Sequence, residues 1–246
     1  MTRALIVLTA RQLFGRRRAL LLAVLAFIPV AVALLYRFGS DHVDPSPVIF
    51  APDMLDGLIL AVVLPLIALV FGTAALGAEI EDGTAVYLLT KPIARSRILL
   101  VKIGVAAGAT MALTLPPTLI AALIALGGDD PYGLTAGFVL AVAVGAIAYA
   151  ALFVALSVFT SRALLIGLVY VFVWEAIVPS IFDGTRWISV RQYMLGLADY
   201  VSSAPRSALD AELGGASAAL AVLALVTISV LLGTYLIRRF EIGERL

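Results

Sequence analysis

The uncharged run PYGLTAGFVLAVAVGAIAYAALFVALSVFTS (131–161) decides the fold class of this chain. A hydrocarbon core about 30 Å thick needs about 20 apolar residues in an α-helix to cross it. This run exceeds that length, and it offers no charged group that would resist burial in lipid. It therefore predicts a membrane-spanning helix.

Five more apolar runs flank it, and only the run at 163–182 contains a charged residue, Glu175. The chain is 63% hydrophobic and 13% charged, whereas soluble domains carry about 25% charged residues. Six spans would take up roughly half of the chain and leave no room for a soluble domain. We predict an all-α membrane protein forming a single domain over 1–246, with spans at about 19–36, 57–78, 103–126, 134–158, 163–182 and 215–237.

Residues 1–18 precede the first span and combine apolar residues with arginines. Such a segment can lie in the membrane interface with its basic groups near anionic headgroups, which predicts an N-terminal interfacial helix. An extended basic start of the first span is the alternative. The run 19–36 is too long for a signal peptide, and no small-x-small cleavage pattern follows it.

The positive charges predict the orientation of the spans. With both termini in the cytoplasm, 13 of the 17 Lys and Arg residues would lie inside. Basic residues resist translocation, so this distribution favours cytoplasmic N- and C-termini in a multi-pass protein of the cell membrane. The four basic residues left outside are Arg37, Arg186, Arg191 and Arg206.

The residues that catalysis or metal binding would require are missing from the sequence. There is no cysteine, so thiolate metal sites are excluded. The sequence has no phosphate-binding loop, no H-E-x-x-H motif and no G-x-S-x-G motif. Its single histidine, His42, has no metal-type partners nearby in the sequence. We predict that the chain is not an enzyme and holds no metal or cofactor, so any energy for work must come from a partner.

Glu175 is the one ionisable residue deep within a predicted span. A carboxylate in that position costs roughly 2.5–3.5 kcal/mol on insertion scales, so it should face protein or water and find a partner. Three hypotheses stay open: a structural hydrogen bond, a group lining a translocation path, and a proton-coupled site. This makes Glu175 the intramembrane polar candidate.

The segment EIEDGTAVYLLTKPIARSRILLVK (79–102) has seven charged residues among 24 and would form the main cytoplasmic loop. Gly83 frees the backbone for a turn, and Pro92 would end a helix that began at Ala85. Charged groups of both signs suit a polar interface with a partner protein. Ordinary positive-inside anchoring is the alternative.

This loop resembles that of the permease subunits of ABC-2 type transporters. In that family an acidic residue precedes Gly-Thr, followed by Leu-Leu, Pro, Arg and a Lys at the start of the third span, which is Lys102 here. SVFTSRALLIGLVYVFVWE (157–175) and WISVRQYMLGLAD (187–199) are further matches. The resemblance assigns contact with an ATPase to the loop, whose candidate residues are Glu79, Glu81, Asp82, Gly83, Thr84, Lys91, Pro92 and Arg95.

The resemblance also implies partners. The chain would pair with a second permease copy, as a homodimer or a related heterodimer, and with two copies of a separate ABC ATPase that bind ATP and Mg. It would act within the lipid bilayer, with no nucleic acid among its partners. The predicted function is ATP-driven export, with aliphatic spans that suit a lipophilic or amphiphilic compound. The alternative is an ATP-driven device that passes mechanical work to an extracytoplasmic partner without transport.

Residues 187–201 form part of the longest predicted outer loop. Their aromatic residues lie among apolar ones, which suits a short amphipathic helix that lies at the outer interface or is partly re-entrant. A surface loop anchored by its aromatic side chains is the alternative.

Overall fold

A computed structural model of the chain describes residues 6, 8–9, 13, 15–39, 46–81, 94–130, 132–178, 183–203, 209 and 211–238. These residues are helical or form turns, and no strand occurs among them. The all-α prediction is thereby confirmed for the described ranges. The predicted interfacial helix falls largely on residues 1–14, most of which lie outside these ranges, and it stays a prediction.

The α-helices follow the apolar runs, whose Ala and Leu residues favour helix. Within the described residues they are α1 (Arg16–Gly39), α2 (Pro47–Met54), α3 (Leu64–Glu81), α4 (Arg95–Leu126), α5 (Leu134–Phe159), α6 (Ala163–Val169), α7 (Val190–Val201) and α8 (Gly215–Arg238). Two π-helical segments and one 3-10 turn interrupt this pattern. The first π segment (Leu55–Val63) joins α2 to α3, the second (Tyr170–Ile177) follows α6, and the 3-10 turn (Asp183–Ile188) precedes α7.

Five of these helical stretches are long and apolar enough to cross a membrane. They are Ala19–Gly39, Pro47–Gly77, Arg95–Leu126, Leu134–Phe159 and Gly215–Ile237. The sixth predicted span, 163–182, falls on a shorter apolar helix, Ala163–Glu175, and on residues 179–182 outside the described ranges. The sixth span and the orientation of the termini therefore stay predictions.

Helix α5 occupies the centre of the bundle. It packs against α3, α4, α7 and α8, and its inward residues include the fully buried Phe138, Tyr149 and Phe153. By contrast, α1 and α8 expose most of their apolar surface. A helix that is apolar all round and unburied on one side is the arrangement expected where lipid supplies the remaining contacts.

The bundle has two ends, which we name by what they carry. The loop end holds the end of α3, the start of α4 and the end of α8. The α7 end is the opposite one, where α4 ends and α5 begins, and where the Ser203 amide after α7 donates to the Tyr132 carbonyl at 2.8 Å.

The connection from α4 to α5 shows how the chain reverses direction at the α7 end. Gly127 takes a left-handed conformation at φ 69°, and the amides of Gly127 and Gly128 bond back to the carbonyls of Ile124 and Leu123. This ends α4 in the manner glycine favours. The carboxylate of Asp130 then accepts from the amides of Leu134 and Thr135 at 2.9 and 2.8 Å and caps α5.

Candidate functional site

The base of the predicted coupling loop is closed by a buried ion pair. The Lys102 ammonium lies 2.6 Å from the Glu79 carboxylate, with side chains 1% and 21% exposed. Glu79 lies near the end of α3 and Lys102 in the second turn of α4, so the pair joins the two helices that bound the loop. Burying an ammonium costs several kcal/mol unless a partner compensates the charge. The pair therefore fixes these helices to one another.

Arg95 ties the same place to the C-terminal helix. Its guanidinium donates a hydrogen bond of 2.9 Å to the Ile237 carbonyl, one residue before α8 ends. Carbonyls in the last turn of a helix lack intrahelical partners and carry partial negative charge, so a cation there is stabilising. Leu99 of α4 packs on α8 at Gly233, where an added Cβ would lie 2.8 Å from the Leu99 Cδ2.

The other predicted loop residues cannot be placed in the same way. Asp82, Gly83, Thr84, Lys91 and Pro92 lie outside the described residues, and Glu81 is described only as the last residue of α3. Their proposed contact with an ATPase stays a prediction. Among the predicted set, the structure brings Glu79 and Arg95 to the same end of the bundle, each bound to a different helix.

Glu175 lies at the centre of a second polar cluster, at the start of α7. Its side chain is 0% exposed. The Oε1 atom accepts from the Tyr170 hydroxyl at 2.6 Å and the Val190 amide at 3.0 Å. The Oε2 atom accepts from the Ser189 hydroxyl at 2.6 Å and the Arg191 amide at 3.2 Å. Four donors, two hydroxyls and two backbone amides, thus satisfy both oxygens of the carboxylate.

These contacts cap a helix that begins away from water. The first amides of an α-helix have no partner within the helix, and Glu175 accepts from two of them in α7. Ser189, the N-cap residue, accepts from the amide of Gln192 at 3.4 Å. The geometry matches the structural hypothesis for Glu175, while the path-lining and proton-coupled hypotheses have no contact here that favours them.

The second π segment explains how Tyr170 reaches Glu175. The two residues are five apart, which is the spacing that a π-helical turn brings together and an α-helical turn does not. The Tyr170 ring also packs edge-on against Phe153 of α5, with centroids 6.1 Å apart. The segment thus turns Glu175 toward α7 while its aromatic neighbour packs against the central helix.

Sequence reasoning missed a second carboxylate in this cluster. The Arg191 side chain, in the first turn of α7, donates to Asp56 through Nε at 2.7 Å and also through Nη2. Asp56 lies in the first π segment, 135 residues earlier in the chain. The predicted spans place Asp56 and Arg191 on the same, outer side of the membrane. Several other pairs of acidic and basic residues share that placement, so it did not single out this pair.

No group of His, Asp and Glu side chains that could hold a metal ion occurs in the described ranges. The chain supplies two clusters of paired charges instead, one at the loop end of the bundle and one around the start of α7. Both clusters join helices to one another, and neither has the arrangement of a nucleophile with a base. They suit a role in holding and moving helices.

The comparison with protein families bears on this geometry. A family model described as ABC-2 family transporter protein matches residues 14–183, more than half of the chain. The chain belongs to this family. It is a multi-pass membrane permease, and permeases of the ABC-2 family are typically non-catalytic and work with a separate ATPase. No curated protein matches the chain.

The matched range covers only some of the residues that form the permease's two clusters. It contains Glu79, Lys102, Asp56 and Glu175, but it ends before α7 and α8. The partners that Arg95 and Glu175 find in those later helices are therefore known from the structure alone.

Proposed function

We propose that this chain is the membrane-spanning subunit of an ATP-driven exporter, in which a separate ATPase binds ATP and Mg and does the hydrolysis. Two permease chains would pair with two ATPase subunits, and the segment between α3 and α4 would receive the ATPase movement on the cytoplasmic side. The cargo would be lipophilic or amphiphilic, since the spans offer mostly aliphatic surface.

The observation that carries this proposal, beyond family membership, is the buried pair of Glu79 and Lys102. A loop that transmits force must be attached firmly where it joins the spans, since a compliant base would absorb the movement. The pair joins α3 to α4, and the Arg95 hydrogen bond adds α8. A push on the loop would therefore move three helices together.

The first test is association with the ATPase. A tagged chain is purified in mild detergent from cells that also produce its cognate ATPase, and the ATPase activity of the complex is measured. We expect a stable complex. A chain that purifies alone, under conditions in which the ATPase is folded and abundant, would contradict the proposal.

Direction and coupling are tested in inside-out membrane vesicles. We expect ATP-dependent accumulation of a lipophilic fluorescent dye by the wild type, and loss of accumulation in Lys102→Met while the ATPase still binds. Arg186→Gln is the matched control, since it breaks an exposed ion pair with Glu212 at the α7 end. ATP hydrolysis without movement of any dye tested would favour mechanical work on an extracytoplasmic partner.

A further inference from the structure

Helix α4 passes through two apolar cores. Among the described residues, the buried apolar side chains form one core toward the loop end of the bundle and another toward the α7 end. On α4, the last buried residue of the loop-end core is Ala109, and the first of the α7-end core is Ala121. The buried residues between them are Thr110, Thr114, Pro117 and Thr118. The boundary between the cores thus falls on a stretch of threonine and proline.

Two backbone hydrogen bonds are missing from this stretch of α4. Pro116 and Pro117 have no amide hydrogen, so the carbonyls of Ala112 and Leu113 lack the donors that lie four residues later in an unbroken helix. Proline is one of the few causes of sharp bends in helices, because its ring also clashes with the preceding turn. The backbone of α4 therefore holds least firmly between the two cores.

The buried threonines weaken the same stretch further. The hydroxyls of Thr110, Thr114 and Thr118 donate to the carbonyls four residues earlier at 2.9, 2.9 and 2.7 Å. A hydroxyl that bonds back in this way competes with the backbone amide for the carbonyl and often bends the helix. Because each hydroxyl finds its acceptor within α4, the helix can bend here without stranding a buried donor.

The adjoining helix α1 has a similar break. Ala26 of α1 belongs to the loop-end core and Val30 to the α7-end core, and the buried Pro29 lies between them. Pro29 lacks the amide that would bond to the Leu25 carbonyl. Helix α5, by contrast, contributes to both cores and contains no proline. Two helices that pack on each other are thus interrupted beside a central helix that is not.

Both ends of α4 are fastened to other helices. At the loop end, Lys102 pairs with a carboxylate of α3, and Arg95 donates to a carbonyl of α8. At the α7 end, the Arg37 guanidinium of α1 lies against Gly127, where an added Cβ would be 3.0 Å from Nη1. A helix that is held at both ends and weak between them bends in the middle when one end is pushed.

We propose that Pro116 and Pro117 form a hinge in α4, accompanied by Pro29 in α1, and that the loop end of the bundle moves about this hinge while the α7 end keeps its position. The hinge follows from the packing and the backbone of this chain and needs no partner. Its use, to carry the ATPase movement into the spans, rests on the proposed export function.

Electron–electron double resonance between two sites on α4 measures the bend. The chain has no cysteine, so spin labels attach only to introduced thiols. Leu100→Cys and Leu123→Cys are exposed positions on either side of the prolines, and 23 residues span roughly 35 Å in a straight helix. Leu140→Cys with Phe159→Cys is the control pair on α5. The labelled chain is placed in nanodiscs of phosphatidylethanolamine and phosphatidylglycerol.

We expect a broad distribution of 100–123 distances when the prolines are present. The double variant Pro116→Ala with Pro117→Ala restores both amides and should give a narrower distribution with a longer mean. Thr114→Val removes one competing hydroxyl and should narrow the distribution less. The 140–159 distance on α5 should stay the same in every variant.

The matched control is Pro47→Ala. Pro47 is the first residue of α2, where a missing amide costs no hydrogen bond within the helix. This variant should leave the 100–123 distribution unchanged. A double proline variant with the same 100–123 distribution as the original chain, or an equal change in Pro47→Ala, would overturn the hinge.

The transmitting role is read in the complex with the ATPase. Trapping with Mg-ATP and vanadate should shift the 100–123 distance and leave the 140–159 distance unchanged. The double proline variant should still hydrolyse ATP but lose ATP-dependent dye accumulation in inside-out vesicles, whereas Pro47→Ala should keep it. A trapped complex without the shift, or full accumulation by the double variant, would overturn the transmitting role. Failure of the ATPase to associate would instead count against the proposed function and leave the nanodisc result standing.

Discussion

At the loop end of the bundle, the buried Lys102 ammonium pairs with the Glu79 carboxylate, and both groups belong to side chains. At the start of α7, two carboxylates share the first turn of one helix, and Glu175 accepts from two backbone amides as well as two hydroxyls. Both clusters join one helix to another. They differ in what remains when a side chain is removed.

A pair of side chains can be replaced on both sides by apolar groups, which removes the buried charge along with the interaction. Such replacements are often neutral or stabilising. Backbone amides stay in place after any substitution, so the start of α7 always needs an acceptor. This comparison predicts that compensating substitutions rescue the pair at the loop end and do not rescue the cluster at the start of α7.

The largest effect is expected for Glu175→Leu, which strands the amides of Val190 and Arg191. We expect a loss of about 4–5 kcal/mol in the free energy of unfolding. The midpoint of thermal unfolding in detergent should fall by roughly 10 °C or more, on the scale of 2–4 °C per kcal/mol. Adding Tyr170→Phe removes a hydroxyl donor that the lost carboxylate would leave unpaired, and it should not restore stability, because the two amides still lack an acceptor. Recovery in the double variant would show that the amides do not need the carboxylate.

Lys102→Met should cost somewhat less, about 2–3 kcal/mol, because the Glu79 carboxylate that loses this cation is 21% exposed. The double variant Glu79→Leu with Lys102→Met should return to within about 1 kcal/mol of the wild type. Thermal unfolding of the single and double variants gives the coupling energy directly. A double variant as unstable as Lys102→Met would mean that compensating substitutions rescue neither cluster.

A smaller effect is expected where α7 approaches α5. An added Cβ at Gly137 would lie 2.7 Å from a backbone oxygen, Ala198 O, so the helices must shift, and Gly137→Ala should cost about 1–3 kcal/mol. Gly108 is exposed on α4 with nothing within 4 Å of an added Cβ. Gly108→Ala should therefore be neutral or stabilise by up to about 1 kcal/mol. Equal unfolding midpoints for the two variants would argue against close packing of α7 on α5.

Much of the helical framework could be predicted from hydropathy, because a long uncharged run has few alternatives to a spanning helix. Hydropathy did not predict where a helix starts when charged residues lie within that helix. The second predicted span started at 57, whereas the helical stretch starts at Pro47, since Asp53 and Asp56 interrupted the uncharged run. Asp56 is tolerated within the helix because Arg191 pairs with it.

The clusters were predictable only in part. Glu175 stood out because a lone carboxylate within a span must find partners. Its partners are 14 to 16 residues later in the chain, and the Asp56–Arg191 pair spans 135 residues. No periodic pattern relates residues at such separations, and π-helical turns leave no known signal in sequence composition. The family resemblance found Glu79 and Arg95, but it assigned them to a partner and not to α4 and α8.

Asp130 offers the smallest and most pH-dependent test, since it resembles Glu175 in capping a helix but lies between spans. Burial raises the pKa of its carboxyl, but hydrogen bonds from the amides of Thr135 and Leu134 lower it by more, so the pKa lies below the ordinary 3.8. A lowered pKa means that the cap stabilises the fold fully above about pH 3.8 and that this contribution is lost as the pH falls through the folded-state pKa.

We therefore expect Asp130→Ala to lower the free energy of unfolding by about 1 kcal/mol or less at pH 7, the usual worth of such a cap. The difference from the wild type should stay constant between pH 5 and pH 8 and shrink below about pH 3.8. Asp129→Ala, at the exposed neighbouring position, is the matched control and should show no such trend. Thermal unfolding across this pH range checks both variants. A difference that grows toward acid pH would mean that the protonated form of Asp130 is the stabilising one.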